Sequence, residues 1–121
     1  MLNEDVKLLS IFKDSLEGDA EKLLAFLSKS PIRKLITSVV GNKKKSLTIS
    51  KALRVRYAYC AYRLLVEEFG NEFSVRWFLR PNLFLGYKTP AFALRYYNVK
   101  KLTLLVNAAM ACIQVSHGIL P

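Results

Sequence analysis

The sequence predicts an all-α protein, a compact bundle of about seven helices. Three observations predict this class. Every strong apolar periodicity has helical spacing, polar capping residues precede the apolar runs and glycines follow them, and no stretch alternates as a strand does. The chain has 121 residues, 52% of them hydrophobic, which fits a single domain with one core.

Three helices are expected in the first 41 residues. Their starts are predicted at Asn3, at Asp19 and at Ser30 with Pro31. Stops are predicted at Gly18 and Gly41. We expect the buried side of the first helix to consist of Leu8, Leu9, Phe12 and Leu16. That of the second helix is expected to consist of Ala20, Leu23, Leu24 and Leu27.

A long helix is expected between the cap Thr48 and the stop Gly70. One of its faces is apolar: Leu53, Tyr57, Cys60, Ala61 and Leu64. A second, more polar face carries Arg56, Tyr59 and Arg63. Asn71 is the expected cap of a fifth helix, which has to stop before Pro81.

The last two helices are expected to begin at Thr89 with Pro90 and at Asn98. The final helix carries an apolar stripe and further apolar residues on its other faces, which indicates burial on more than one side. In a domain this small, the second covering surface is expected to come from another chain, a copy of itself or a partner. Both stay open here, and a homodimer is predicted for the first of them.

Basic residues exceed acidic residues by 19 to 9, a net charge of +10. Residues 1–30 hold 4 basic and 6 acidic residues, whereas residues 31–121 hold 15 basic and 3 acidic. This asymmetry indicates an anionic partner, which would be nucleic acid, an acidic protein or a phosphate-bearing ligand. A solvated basic surface explains the charge equally well.

The sequence offers little for catalysis, metal binding or membrane insertion. Cys60 and Cys112 lack CxxC spacing and are expected to be free and buried, and His117 is the only histidine, so no metal site and no cofactor are predicted. No nucleotide-binding or hydrolase motif occurs, and we predict no enzyme activity. The acidic N-terminus is unlike a signal peptide. The apolar run 102–115 is expected to be too short for a bilayer, so a cytoplasmic location without membrane contact is predicted.

Nucleic acid binding has a weak signal in the N-terminal region. The second and third helices, joined by "KSP", are compatible with a helix-turn-helix whose third helix would enter the major groove, although short-turn helix pairs are common in bundles. The residues that would hold phosphates are Arg33, Lys34, Lys43, Lys44 and Lys45. Arg54, Arg56 and Arg63, which alternate with tyrosines, would either contact phosphates or solvate their helix.

The stretch "WFLRPNLFLGYKTP" carries a more specific pattern. Its defining residues are Trp77, Pro81, Asn82, Leu85, Gly86, Thr89 and Pro90. These resemble the toxin-binding domain of the Xre/MbcA/ParS-like antitoxins, whose pattern is a Trp-Leu pair, Pro-Asn-Pro, Leu-Gly-Gly and Thr-Pro-Leu. The resemblance covers about residues 46–121. Leu83 stands where that family has its second proline, and Tyr87 where it often has a second glycine.

The resemblance implies a helix-turn-helix-like N-terminal region, residues 1–47, followed by a toxin-binding helical domain, residues 48–121. Members of the family neutralise RES-domain toxins, which consume NAD, by occluding the active site with their C-terminal region, and many bind operator DNA. The implied toxin contacts are Ile113, Gly118, Ile119, Leu120 and Pro121.

Two questions stay open at this point, each with two alternatives. The motif residues either form a rigid corner that aligns two helices or contact the partner directly. The protein as a whole is either an antitoxin that also represses its operator as a dimer, or a stand-alone basic nucleic-acid-binding protein that has kept the fold without a toxin.

Overall fold

The computed structural model describes residues 3–41 and 47–118. Within these residues the chain forms seven α-helices and no strand, so the predicted all-α class is confirmed. The helices are α1 (Asn3–Leu16), α2 (Ala20–Leu27), α3 (Arg33–Val40), α4 (Ile49–Phe69), α5 (Asn71–Phe78), α6 (Pro90–Tyr96) and α7 (Thr103–Ser116). Two short 3-10 turns, Leu83–Leu85 and Val99–Lys101, precede α6 and α7.

Helix α4 is the centre of the bundle and packs against all six other α-helices. Its buried residues therefore lie on every side: Val55, Ala58, Tyr59, Cys60, Ala61, Tyr62, Leu64 and Leu65. The predicted division into an apolar and a polar face is wrong, because tyrosine rings such as that of Tyr59 pack under neighbouring helices. Side chains from both predicted regions, residues 1–47 and 48–121, belong to this one core.

Several predicted helix ends are confirmed by local hydrogen bonds. Asp19, Thr48 and Thr89 each accept a bond from a backbone N–H two or three residues further on, at 2.9–3.1 Å. Gly41 and Gly70 end α3 and α4 with φ angles of 72° and 85°. These left-handed values favour glycine, which has no Cβ.

Three predicted caps act elsewhere. Ser30 caps a turn ahead of α3, which begins at Arg33, two residues later than Pro31 suggested. The side chain of Asn71 makes no cap and accepts a 2.8 Å bond from the hydroxyl of Tyr62. Asn98 caps the 3-10 turn rather than α7 itself.

The buried face of α1 differs from the predicted one. Leu9 and Leu16 are exposed, whereas Ile11 and Ser15 are buried beneath α4. Ser15 can be buried because its hydroxyl donates a 2.6 Å bond to the carbonyl oxygen of Ile11 within the helix. A pattern built on leucine and phenylalanine alone misses this small polar residue.

Helix α7 is buried on several sides, as predicted. Within the chain it packs against α4, α6 and both 3-10 turns, while Leu104 and Val115 are exposed. Residues Val99–Ser116 form an 18-residue stretch that is long and apolar enough to cross a membrane, with a mean hydropathy of 1.2 and 39% of it buried. The expectation that the apolar run of the last helix is too short to cross a bilayer is therefore wrong as to its length. Buried core helices of soluble proteins meet the same criterion of length and composition.

A candidate partner-binding groove

The motif turn after α5 is closed by Asn82. Its side-chain carbonyl accepts a 2.9 Å bond from the N–H of Phe84, and its backbone carbonyl accepts one of 2.9 Å from Tyr87. Its own N–H donates to the carbonyl oxygen of Lys88 at 3.0 Å. The two backbone bonds join the ends of the turn, and the side-chain bond to Phe84 accounts for an asparagine here.

Buried neighbours fix this turn on the bundle. Trp77, Leu85 and Pro90 are buried, and the hydroxyl of Tyr97 donates a 2.7 Å bond to the carbonyl oxygen of Leu85. Gly86 has a positive φ of 63°, which favours glycine. These contacts favour the rigid-corner interpretation for the buried motif residues.

The exposed side of the corner borders a groove of about 480 Å³ between α5, the turn and α7. We call it the α5–α7 groove. Its lining residues are Phe73, Arg76, Trp77, Arg80, Pro81, Asn82, Leu83, Phe84, Ala108, Ala111, Cys112 and Val115. Leu83 is 64% exposed and Val115 is 51% exposed, so apolar side chains border the groove from both walls. Contiguous exposed apolar surface of this kind is typical of interaction sites.

Two arginines give the groove a positive charge. Arg76 pairs with Glu72 at 3.6 Å, but both groups are solvent-exposed, so the pair is weak. Arg80 makes no ion pair with any residue in 3–41 or 47–118. The sequence holds no Asp or Glu after Glu72, while six Lys and Arg residues follow it. An occupant that complements this groove is apolar and acidic.

The predicted toxin contacts are only partly on this surface. Ile113 is 4% exposed and packs in the core, so its side chain is not presented to a partner. Gly118 is exposed, with a φ of 73°, while Ile119, Leu120 and Pro121 lie outside the described residues. Val115, two residues beyond Ile113, is the exposed apolar residue of this segment. Sequence reasoning missed it because the apolar pattern of α7 covers most of its faces.

The end of α7 is attached to α4 by a polar contact. The His117 ring, at the C-terminal end of the helix, contacts the carboxylate of Glu68. The neighbouring carboxylate of Glu67 pairs with Lys7 at 3.3 Å and Arg63 at 3.4 Å. Both glutamates are exposed, so these contacts are weak, and they link α1 and the end of α7 to the last turn of α4.

Two of the predicted phosphate-binding residues, Arg33 and Lys34, are exposed in the first turn of α3. No acidic residue accompanies them there. Cations at this end of a helix are disfavoured by the helix dipole, and a bound anion would offset that cost. Helices α2 and α3 pack together, as a helix-turn-helix would require. Lys43, Lys44 and Lys45 lie outside the described residues.

The arginines of α4 bond to the chain itself. Arg54 donates to the carbonyl oxygen of Leu94 at 2.7 Å, and Arg56 donates to that of Gly18 at 3.1 Å. Arg63 donates to the hydroxyl of Tyr59 at 2.9 Å. The two predicted alternatives were phosphate contact and solvation of the helix. Arg54 and Arg56 instead bond to backbone carbonyl groups of other segments, and only Arg63 bonds within α4.

The described residues offer binding surfaces more than reactive groups. No three His, Cys, Asp or Glu residues of 3–41 and 47–118 lie together as a metal site would require. Burial raises the pKa of the Cys60 thiol to about 11, partly offset by a hydrogen bond with Ser15. That thiol is therefore protonated at neutral pH and a poor nucleophile. Cys112, which we expected to be buried, is half-exposed beside the groove.

Comparison with protein-family models, curated proteins and solved structures gives no match.

Proposed function

We propose that this protein is an antitoxin that binds a cognate RES-type toxin through the α5–α7 groove and its C-terminal segment. The observation that carries the proposal is the position of the groove. Its walls are the antitoxin-like turn, through Pro81 and Leu83, and the last helix, through Val115. The resemblance of residues 46–121 implies partner binding at the C-terminal end of the same helix.

The chemistry of the groove favours a protein partner with an apolar, acidic segment. Exposed Leu83 and Val115 would lose water-accessible apolar area on binding, which is the main favourable term in association. Arg76 and Arg80 would select a segment with carboxylates and exclude a basic one. Ile113 is buried in the core and is not a contact residue in this proposal.

The proposal includes operator binding as a dimer through α3. Arg33 and Lys34 are exposed, and no acidic side chain shares the first turn of α3 with them. The alternative, a stand-alone nucleic-acid-binding protein, uses the same two residues but no toxin. The two proposals differ in whether the groove has an occupant.

A capture experiment tests the groove. The protein, tagged at its N-terminus, is purified from its host after nuclease treatment, and any stoichiometric protein companion is assayed for NAD consumption. Wild-type protein should suppress that activity. Val115→Gln should bind the companion at least about tenfold more weakly, because a central apolar contact is lost.

Matched variants make the result specific. Ile49→Gln replaces another exposed β-branched residue, at the first position of α4, and should bind normally. Arg80→Glu should weaken binding, whereas Lys22→Glu, an equal charge change on α2, should not. Equal affinity of Val115→Gln and Ile49→Gln would contradict the proposed groove.

A further inference from the structure

A second exposed surface lies on the other side of the motif turn, around a cavity of about 430 Å³. We call it the aromatic surface and define it by Phe84, Lys88, Phe92, Tyr96 and Lys101. Phe84, Tyr96 and Lys101 line the cavity itself. Tyr96 is 68% exposed, and the rings of Phe84 and Phe92 are also exposed. Exposed aromatic rings grouped in this way are typical of a binding site.

The rings of the aromatic surface are held in place by one another. The Phe92 and Tyr96 centroids lie 4.9 Å apart at 53°, and Phe92 meets Tyr97 edge-on at 6.3 Å. Tyr97 is anchored in turn by its 2.7 Å bond to the carbonyl oxygen of Leu85. A ring supported in this way loses little conformational freedom when a flat ligand stacks on it.

Cations are interleaved with these rings. The ammonium group of Lys88 lies 5.2 Å from the centroid of Phe92, a cation–π contact. Lys100 and Lys101 stand next to each other in the 3-10 turn before α7. None of these three lysines pairs with a carboxylate within residues 3–41 and 47–118. The surface therefore combines flat apolar platforms with unpaired positive charge.

We propose that the aromatic surface binds single-stranded nucleic acid. Unpaired bases stack on exposed aromatic rings, and adjacent lysines neutralise the phosphates between them. A duplex keeps its bases stacked inside and cannot use Phe92 or Tyr96 in this way. An acidic protein would be attracted by the lysines but would leave the aromatic rings without a matching group. The ligand therefore has both flat faces and regular negative charge.

This surface is separate from the proposed toxin site. Phe84 borders both, but Tyr96 and Lys101 line the aromatic cavity and not the α5–α7 groove, and Val115 lines the groove and not the aromatic cavity. It is also distinct from Arg33 and Lys34 on α3, which would serve duplex operator DNA. The proposal does not depend on a toxin, so the two can fail independently.

Fluorescence anisotropy with labelled oligothymidine tests the proposal, using the full chain freed of host nucleic acid by nuclease and a high-salt wash. Tyr96→Ala should weaken binding by roughly 5- to 150-fold, the effect of losing one stacked base. Tyr96→Phe keeps the ring and should bind like the wild type. Phe26→Ala removes an exposed ring on α2 and is the matched control.

The lysines are tested by salt dependence. The logarithm of the association constant should fall linearly with that of the salt concentration, and Lys101→Ala should reduce the slope by about 0.7 for one lost phosphate contact. Lys22→Ala, which removes an exposed lysine on α2, should leave the slope unchanged.

Three outcomes would overturn the proposal. One is the absence of oligothymidine binding at low salt. Another is binding that Tyr96→Ala leaves unchanged, because attraction to phosphates alone would then explain it. The third is tighter binding of a duplex of equal length through the same residues. Val115→Gln should retain oligothymidine binding whatever its effect on a toxin.

Discussion

The guanidinium of Arg54 donates a 2.6 Å hydrogen bond to the carbonyl oxygen of Tyr97, 43 residues further along the chain. A second donor of the same group bonds to the carbonyl oxygen of Leu94 at 2.7 Å. Carbonyl groups at the end of a helix have no partner within it, so Arg54 caps α6 from the side. This cap connects the central helix to the segment that carries the aromatic surface.

The substitution Arg54→Met should lower the free energy of unfolding by about 1.5–3 kcal/mol, because charge-assisted bonds are lost and two part-buried carbonyls are left without donors. Arg54→Lys keeps the charge but not the fork of donors, so we expect a smaller loss. Urea unfolding measures both. Arg33→Met, at an exposed position, is the control. If Arg54→Met lost no more stability than this control, the capping role would be contradicted.

Tyr87 has a φ of 66° and is the one non-glycine residue with a positive φ in the described ranges 3–41 and 47–118. Its side chain is 70% exposed. The left-handed region costs an L residue about 1–2 kcal/mol. The resembled antitoxins often have glycine at this position, and glycine adopts a positive φ without the clash of a Cβ.

Tyr87→Gly should therefore raise the free energy of unfolding by about 0.5–1 kcal/mol. Relief of the backbone strain stabilises the fold, and the greater conformational entropy of glycine in the unfolded chain offsets part of that gain. Thermal and urea unfolding give the value. Gly86→Ala is the converse test. A Cβ at this position meets no atom within 4 Å, so any decrease in the free energy of unfolding comes from backbone strain at φ 63°. Lower stability of the Tyr87→Gly protein would indicate that the tyrosine ring makes a stabilising contact.

Local signals in the sequence predicted the helices well. The caps Asp19, Thr48 and Thr89 and the stops Gly41 and Gly70 are confirmed, because each depends on neighbouring backbone groups alone. Helix faces were harder to predict. The exposure of Leu9 and Leu16 follows from how α1 sits on α4, which is a tertiary property.

The candidate surfaces were only partly predictable for a similar reason. The motif around Asn82 pointed to the correct turn, but the groove also needs Val115, which approaches the turn only in the folded chain. Ile113 looked available because a helix apolar on most faces gives no sign of which face is covered. The aromatic surface was missed because Phe92 and Tyr96 follow the motif without belonging to it.

The two cysteines should differ in reactivity. Cys60 is fully buried and its pKa is raised to about 11, whereas Cys112 is half-exposed and lines the groove. Burial raises the pKa of Cys112 as well, so iodoacetamide should react slowly with it, and more slowly still with Cys60. Peptide mass spectrometry at increasing times measures both rates.

An occupant of the α5–α7 groove should protect Cys112 from iodoacetamide and leave the rate at Cys60 unchanged. Oligothymidine, which would occupy the other side of the turn, should protect neither. Faster modification of Cys60 than of Cys112 would contradict the burial of Cys60 beneath α1.

Deleting residues 118–121 should abolish toxin neutralisation and spare DNA binding, because the resemblance assigns the C-terminal segment to the toxin whereas Arg33 and Lys34 lie on α3. The double variant Arg33→Ala, Lys34→Ala should do the reverse. It should lose duplex affinity and reduce the salt slope by about 0.9 for each phosphate contact removed. The two readouts are suppression of NAD consumption by the toxin and anisotropy of labelled operator DNA. Equal loss of both activities in the truncated chain would contradict separate surfaces, since a single binding face would then serve toxin and DNA alike.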